Sequence, residues 1–160
     1  MPPAELSATA RRLLERARVG HLATADAAAR PHVVPVCFAL LEGMPHAAYR
    51  TLYTVYIALD DKPKRRPLTR LKRVANILDN PRVALVVDHY DDDWSRLAFV
   101  LLHGTARLID SGDEHARAVA ALRARYAQYQ AMPLANRPVI AIDVERATTW
   151  AAGGDVRSEA

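Results

Sequence analysis

The chain is poor in several things. Of its 160 residues only Cys37 is a cysteine, so neither an internal disulfide framework nor a cysteine-cluster zinc site can be built. A lone thiol fits a reducing compartment. The six glycines form no Gly-rich phosphate loop, and the strand–helix alternation of a dinucleotide-binding fold is missing too. Aromatics make up 6 %, a poor platform for stacking single-stranded nucleic acid. The longest apolar run, Val33–Leu41, is nine residues with Pro35 inside it, far below the ~20 residues of a membrane span. Residues 1–12 show no apolar segment of a secretory leader. A soluble, cytoplasmic protein is expected, with neither a membrane nor a nucleic acid as partner.

What is present suffices for a core. Alanine leads with 30 residues, but 18 Leu and 14 Val follow. One domain over 1–152 is expected, with 153–160 a flexible C-terminal tail. Helical spacing runs over 4–18, where Leu6, Ala10, Leu13, Leu14 and Ala17 share one face. A second helix spans 68–80 and stops at Pro81. The third, 111–130, carries a Ser111/Glu114 capping box and the stripe Val119, Leu122, Tyr126, Tyr129. Six strands read as 21–25, 32–41, 52–59, 82–88, 97–109 and 139–144. Gly104 interrupts the fifth and predicts a bulge or bend. Short turns favour antiparallel pairing. The expected fold is mainly β with flanking helices, a six-stranded antiparallel barrel.

Charge is unevenly spread. The net charge is +4, yet seven of the 22 basic residues lie between Lys62 and Arg73 without an acid among them. Several fall where a helix begins, and cations there oppose the helix dipole. The arrangement makes sense if an anion is to sit there. A solvated basic loop is the plain alternative. No histidine pair has metal-ligand spacing, and Asp88–Trp94 lacks the calcium-loop pattern; it reads as a turn, with Trp94 over one barrel end. No metal site and no covalent nucleophile are expected, and Cys37 reads as an inert strand residue.

Several segments are familiar together. His21-Leu22-Ala23-Thr24 followed by Arg30–Val36, then Asn76–Asp88 with its Asn-Pro-Arg, then Gly104-Thr105-Ala106 resemble the pyridoxamine 5′-phosphate oxidase-like split barrels. Asp61–Arg65 and Asp88–Trp94 look most like the coenzyme F420-dependent branch of that family. The resemblance implies an FMN-binding-like split barrel and a homodimer with two cofactor sites at the subunit interface. It also implies that Lys72 and Arg73 hold the cofactor phosphate, with Lys62 and Lys64 reaching for phosphate or the acidic tail of the deazaflavin. Thr54 and Ala58, on the third strand, match cofactor-binding positions. Trp150 matches an aromatic that approaches the partner subunit's cofactor. Neutral residues around Val34 and Ala39 stand where relatives carry the Arg and Lys that hold flavin mononucleotide. That departure favours the deazaflavin.

The expectation is therefore an oxidoreductase using F420 for hydride transfer to a small conjugated organic substrate. No side chain is singled out as proton donor. The alternatives are an FMN-dependent oxidoreductase on the same barrel, or a non-catalytic protein binding heme, another cofactor or nucleic acid.

Overall fold

The computed structural model describes residues 4–43, 52–60, 67 and 70–154. Lys62 and Lys64, and residues 155–160 of the expected tail, lie outside them. The chain opens with α1 (Ala8–Arg16), which starts where the Ser7 hydroxyl accepts the Ala10 N–H at 3.1 Å. The strands β1 (Gly20–Ala25), β2 (Pro31–Val36), β3 (Ala39–Glu42) and β4 (Tyr53–Ala58) follow. After α2 (Lys72–Asp79) come β5 (Arg82–His89) and β6 (Ala98–Ile109), then α3 (Gly112–Arg125) and β7 (Val139–Ala151).

All strand pairs are antiparallel, in the order β2-β1-β5-β6-β7-β4-β3. The six-stranded closed barrel is thus corrected: among the described residues there are seven strands, and the edges β2 and β3 do not pair. The run 32–41, expected as one strand, is divided at Cys37 and Phe38. Phe38 is fully buried, and both its backbone groups turn to one hydroxyl on α3's far end. Its N–H donates to Tyr126 Oη at 3.0 Å, and its carbonyl lies 3.1 Å from the same oxygen. A ladder cannot continue through a residue whose polar backbone is engaged elsewhere. Yet Val36 and Ala39 are only three Cα steps apart, at most about 11 Å. The sheet therefore curls until its two edges nearly meet.

Curling gives the sheet an inner and an outer face. Leu22, Leu85, Leu102, Val55 and Ile142 fill the inside, with Leu14 of α1 and Ile77 of α2 packed in. On the outside, α3 covers the β7–β4–β3 sector, laying Ala118, Val119 and Leu122 on Ala39, Tyr56, Ala58 and Ala141. Gly104 fulfils the expectation of a bulge: the β6–β7 register shifts between His103 and Gly104. A Cβ at Gly104 would stand 2.3 Å from the Asp143 carbonyl oxygen, so only glycine lets the strands come so close.

Two further expectations are corrected. Ser111 stands at the N-cap of α3 but closes no capping box: its hydroxyl donates to Asp110, and Glu114 is drawn to Arg107, at 2.6 and 2.9 Å, and accepts the Tyr56 hydroxyl at 2.9 Å. Trp94 covers no barrel end: it opens a short 3-10 turn, Trp94–Arg96, and is 69 % exposed. No helix of the described residues is long and apolar enough to cross a membrane.

Candidate cofactor pocket

Where β2 breaks and β4 ends, the sheet edges leave a pocket of about 200 Å³. Pro35, Val36 and Cys37 form one wall and Ala58 and Asp60 another; Val19 and the first turn of α2, through Arg73, complete it. The apolar walls follow from the chain path. β2 ends at Val36 because the next two residues cross the gap, and the small Ala58 side chain leaves space under the crossing.

The charged groups come from opposite sides. The N-cap of α2, Leu71, makes no side-chain cap bond, and the first turn holds no acid. A helix start has N–H groups without intrahelical partners and a positive dipole end, and here Lys72 and Arg73 stand in that first turn. Across the pocket, Asp60 Oδ2 accepts the Tyr129 hydroxyl at 2.5 Å. Tyr129 is buried on the 3-10 turn after α3. Burial, then the hydrogen bond to Asp60 and the Asp60 charge, pushes its phenol well above the usual range. Tyr129 therefore stays protonated and holds the carboxylate in place.

The residues expected from sequence do not all converge. Arg73 and Ala58 meet in this pocket. Lys72, one residue earlier on the helix and ~100° around it, leans the other way: its Nζ lies 3.4 Å from Asp26 Oδ2 in the β1–β2 turn. Asp26 is itself fastened by the N–H groups of Ala28 and Arg30, both at 3.0 Å, and by the Arg30 guanidinium at 2.7 Å. Thr54 sits on the α3 side of β4, with Oγ1 3.4 Å from Asp143 Oδ1. Asp143 pairs with Arg107, which also grips Glu114. Burial disfavours the Arg107 charge, but hydrogen bonds to Asp143 and Glu114 outweigh it and raise its pKa. Thr54 thus belongs to a polar lattice that ties α3 to the sheet.

Trp150 lies elsewhere again, opposite Phe99 on the β6–β7 ladder, with ring centroids 6.1 Å apart and planes 21° apart. It is 38 % exposed, on the sector of the outer face that α3 leaves bare. Ala23, Val33, Val86, Phe99 and Leu101 share that sector by register.

Asp60, Tyr129 and Cys37 were not read as site residues from sequence. The only signal was Asp60 standing at the edge of the basic block; Tyr129 carried only a helix periodicity. The residues present suit a flat ring bearing a phosphate: apolar walls for the ring, and a guanidinium at a cationic helix start for the anion. Among the described residues no trio of His, Cys, Asp or Glu is placed to hold a metal ion.

Residues 6–151 match the family model described as pyridoxamine 5′-phosphate oxidase. Among solved structures, a conserved hypothetical protein from Mycobacterium tuberculosis superposes with a TM-score of 0.69 at 17 % identity, over 100 % of this chain and 96 % of that one. HutZ, the heme storage protein from Vibrio cholerae, gives 0.61 at 14 % identity, over 92 % and 94 %. A FAD-binding protein from Mesorhizobium loti gives 0.59 at 22 % identity, over 90 % and 94 %. Identities this low speak for the shared fold. No curated protein matches the sequence.

Proposed function

The chain belongs to the pyridoxamine 5′-phosphate oxidase family, and from that premise we propose that it is an oxidoreductase using the deazaflavin coenzyme F420 to transfer hydride to a small conjugated organic substrate. One observation carries the reading: Arg73, at the cationic start of α2, opens into the same pocket as the apolar wall of Val36 and Ala58. Phosphate goes to Arg73; Lys72, turned towards Asp26, adds positive charge at the helix start, and Lys62 and Lys64, earlier in the chain, reach for phosphate or the acidic tail of the deazaflavin. Thr54 braces β4, the strand that delivers Ala58.

Two details support a deazaflavin over FMN. Val34 is half-buried against the inner core, and Ala39 is buried beside Tyr56. These neutral positions offer nothing to a second phosphate-side contact of the kind FMN-binding relatives make. When bound, the deazaflavin would supply the hydride. The protein's own residues orient the ring, exclude water through the apolar walls, and neutralise the phosphate.

A second copy of the chain completes the site in this reading. The bare outer sector presents Val33, Phe99, Leu101 and Trp150, and an isologous dimer would cover it. Trp150 would then meet the cofactor held by the other subunit. A cytoplasmic location goes with the lone thiol and the diffusible cofactor.

Heme and FMN are the rivals, since fold neighbours include a heme storage protein and a FAD-binding protein. Titrating F420, FMN and heme side by side into the purified protein separates them. F420 should bind at least about tenfold more tightly than either; tighter binding of FMN or heme overturns the reading.

A further inference from the structure

A second and larger cleft, about 390 Å³, lies between α1 and the β5–β6 corner. Its helical wall is Thr9, Arg12, Leu13, Arg16 and Ala17. These positions are spaced 0, 3, 4, 7 and 8, a single stripe. The facing wall is Asp88 and His89 at the end of β5, with Arg96 and Ala98. Leu13 and Ala17 also pack against the inner core, which makes the floor apolar.

The charge in the cleft is lopsided. Arg12 and Arg16, four apart on one helix face, repel each other. Among the described residues, Arg12 makes a 3.3 Å bond to the Thr9 hydroxyl and no ion pair. For Arg16, among the described residues, no ion pair or side-chain hydrogen bond is found. Arg96 is steadied by Asp91 at 3.7 Å and Asp93 at 3.6 Å, and neither of these carboxylates lines the cleft. Asp91 also faces His89 Nε2 at 3.8 Å. Within the walls three guanidiniums therefore oppose the single carboxylate of Asp88. Such a gathering over an apolar floor is relieved by a ligand that brings negative oxygen atoms and a hydrocarbon body together.

We propose that this cleft binds a small organic oxyanion, a carboxylate or phosphate ester with an apolar body. Its head lies between Arg12, Arg16 and Arg96, and its body rests on Leu13, Ala17 and Ala98. The site is separate from the pocket at Arg73 and does not depend on which cofactor that pocket holds.

Calorimetric titration of the full chain with octanoate and with octyl phosphate tests it, with inorganic phosphate as the head group alone. Arg12→Gln/Arg16→Gln is the informative variant, because both side chains are exposed and Gln keeps helix propensity. At least one amphiphile should saturate a single site, and the tighter of the two identifies the head group. The double variant should bind at least about tenfold more weakly, while Arg73→Ala binds as wild type does. The proposal is overturned by the absence of saturable binding of both amphiphiles, by equal affinity in the double variant, or by inorganic phosphate binding as tightly as they do.

Discussion

Adjacent cations can serve different ends. Lys72 and Arg73 follow one another in sequence, but the helix turns them to different neighbours, the β1–β2 turn and the pocket. Asp26, which receives Lys72, is the anchor of that turn. The Arg30 backbone N–H, above all, holds its carboxyl down at about 2, against the opposing pull of burial; the Arg30 guanidinium and the Ala28 N–H add to it. A carboxyl lowered on folding stabilises the native state above its ordinary value, 3.8, and that contribution fades as pH falls towards 2. Asp26→Asn should therefore lower the urea midpoint at pH 7 and differ little from wild type near pH 2. A gap that stays constant between those pH values would remove Asp26 from this role. In the sequence Asp26 merely falls between the expected strands 21–25 and 32–41, because its importance comes from backbone groups two and four residues away that only the turn's conformation aims at it.

At the scale of elements, local patterns were read well and distant partners were not. Gly104 announced its bulge, since a glycine inside a long apolar strand has few other uses. Tyr126 and Tyr129 fell on the buried stripe of the third helix by spacing alone. What spacing could not tell is where their hydroxyls go. Tyr126 Oη accepts from Phe38, 88 residues away, and lies 2.9 Å from the Arg18 carbonyl; this divides the expected long strand into β2 and β3. Arg125 reinforces the junction by donating to the carbonyls of Leu14 and Glu15, each at 2.8 Å, and of Ala17 at the end of α1. Tyr126→Phe leaves the ring packing and strands the Phe38 N–H, so a loss of about 1–3 kcal/mol is expected from chemical denaturation. An unchanged midpoint would mean that the strand break has another cause.

For the whole molecule, the antiparallel β-rich fold with three helices was readable, whereas the packing of α1 and α2 into the inner core and the open barrel were not. Counting strands from apolar runs cannot show which edges meet. The site was legible in half-measure for a geometric reason. Thr54 and Ala58 share a face of β4, but four residues along a strand span about 13 Å, so only the strand's end reaches the pocket. Trp150 lies on the bare outer sector, and in the proposed dimer it would reach only the cofactor of the second subunit. Leu101→Arg places a charge in that sector and should convert a dimer into a monomer in sedimentation velocity. A wild-type monomer at micromolar concentration, or a variant that still dimerises, would refute the interface.

In the proposed function α2 grips the phosphate of F420 through Arg73. Fluorescence-quenching titration of F420 into wild type, Lys72→Ala and Arg73→Ala tests it directly. Arg73→Ala should lose at least about tenfold in affinity, and Lys72→Ala, whose side chain leans on Asp26, should lose less. Equal affinity of wild type and Arg73→Ala for F420 would contradict it.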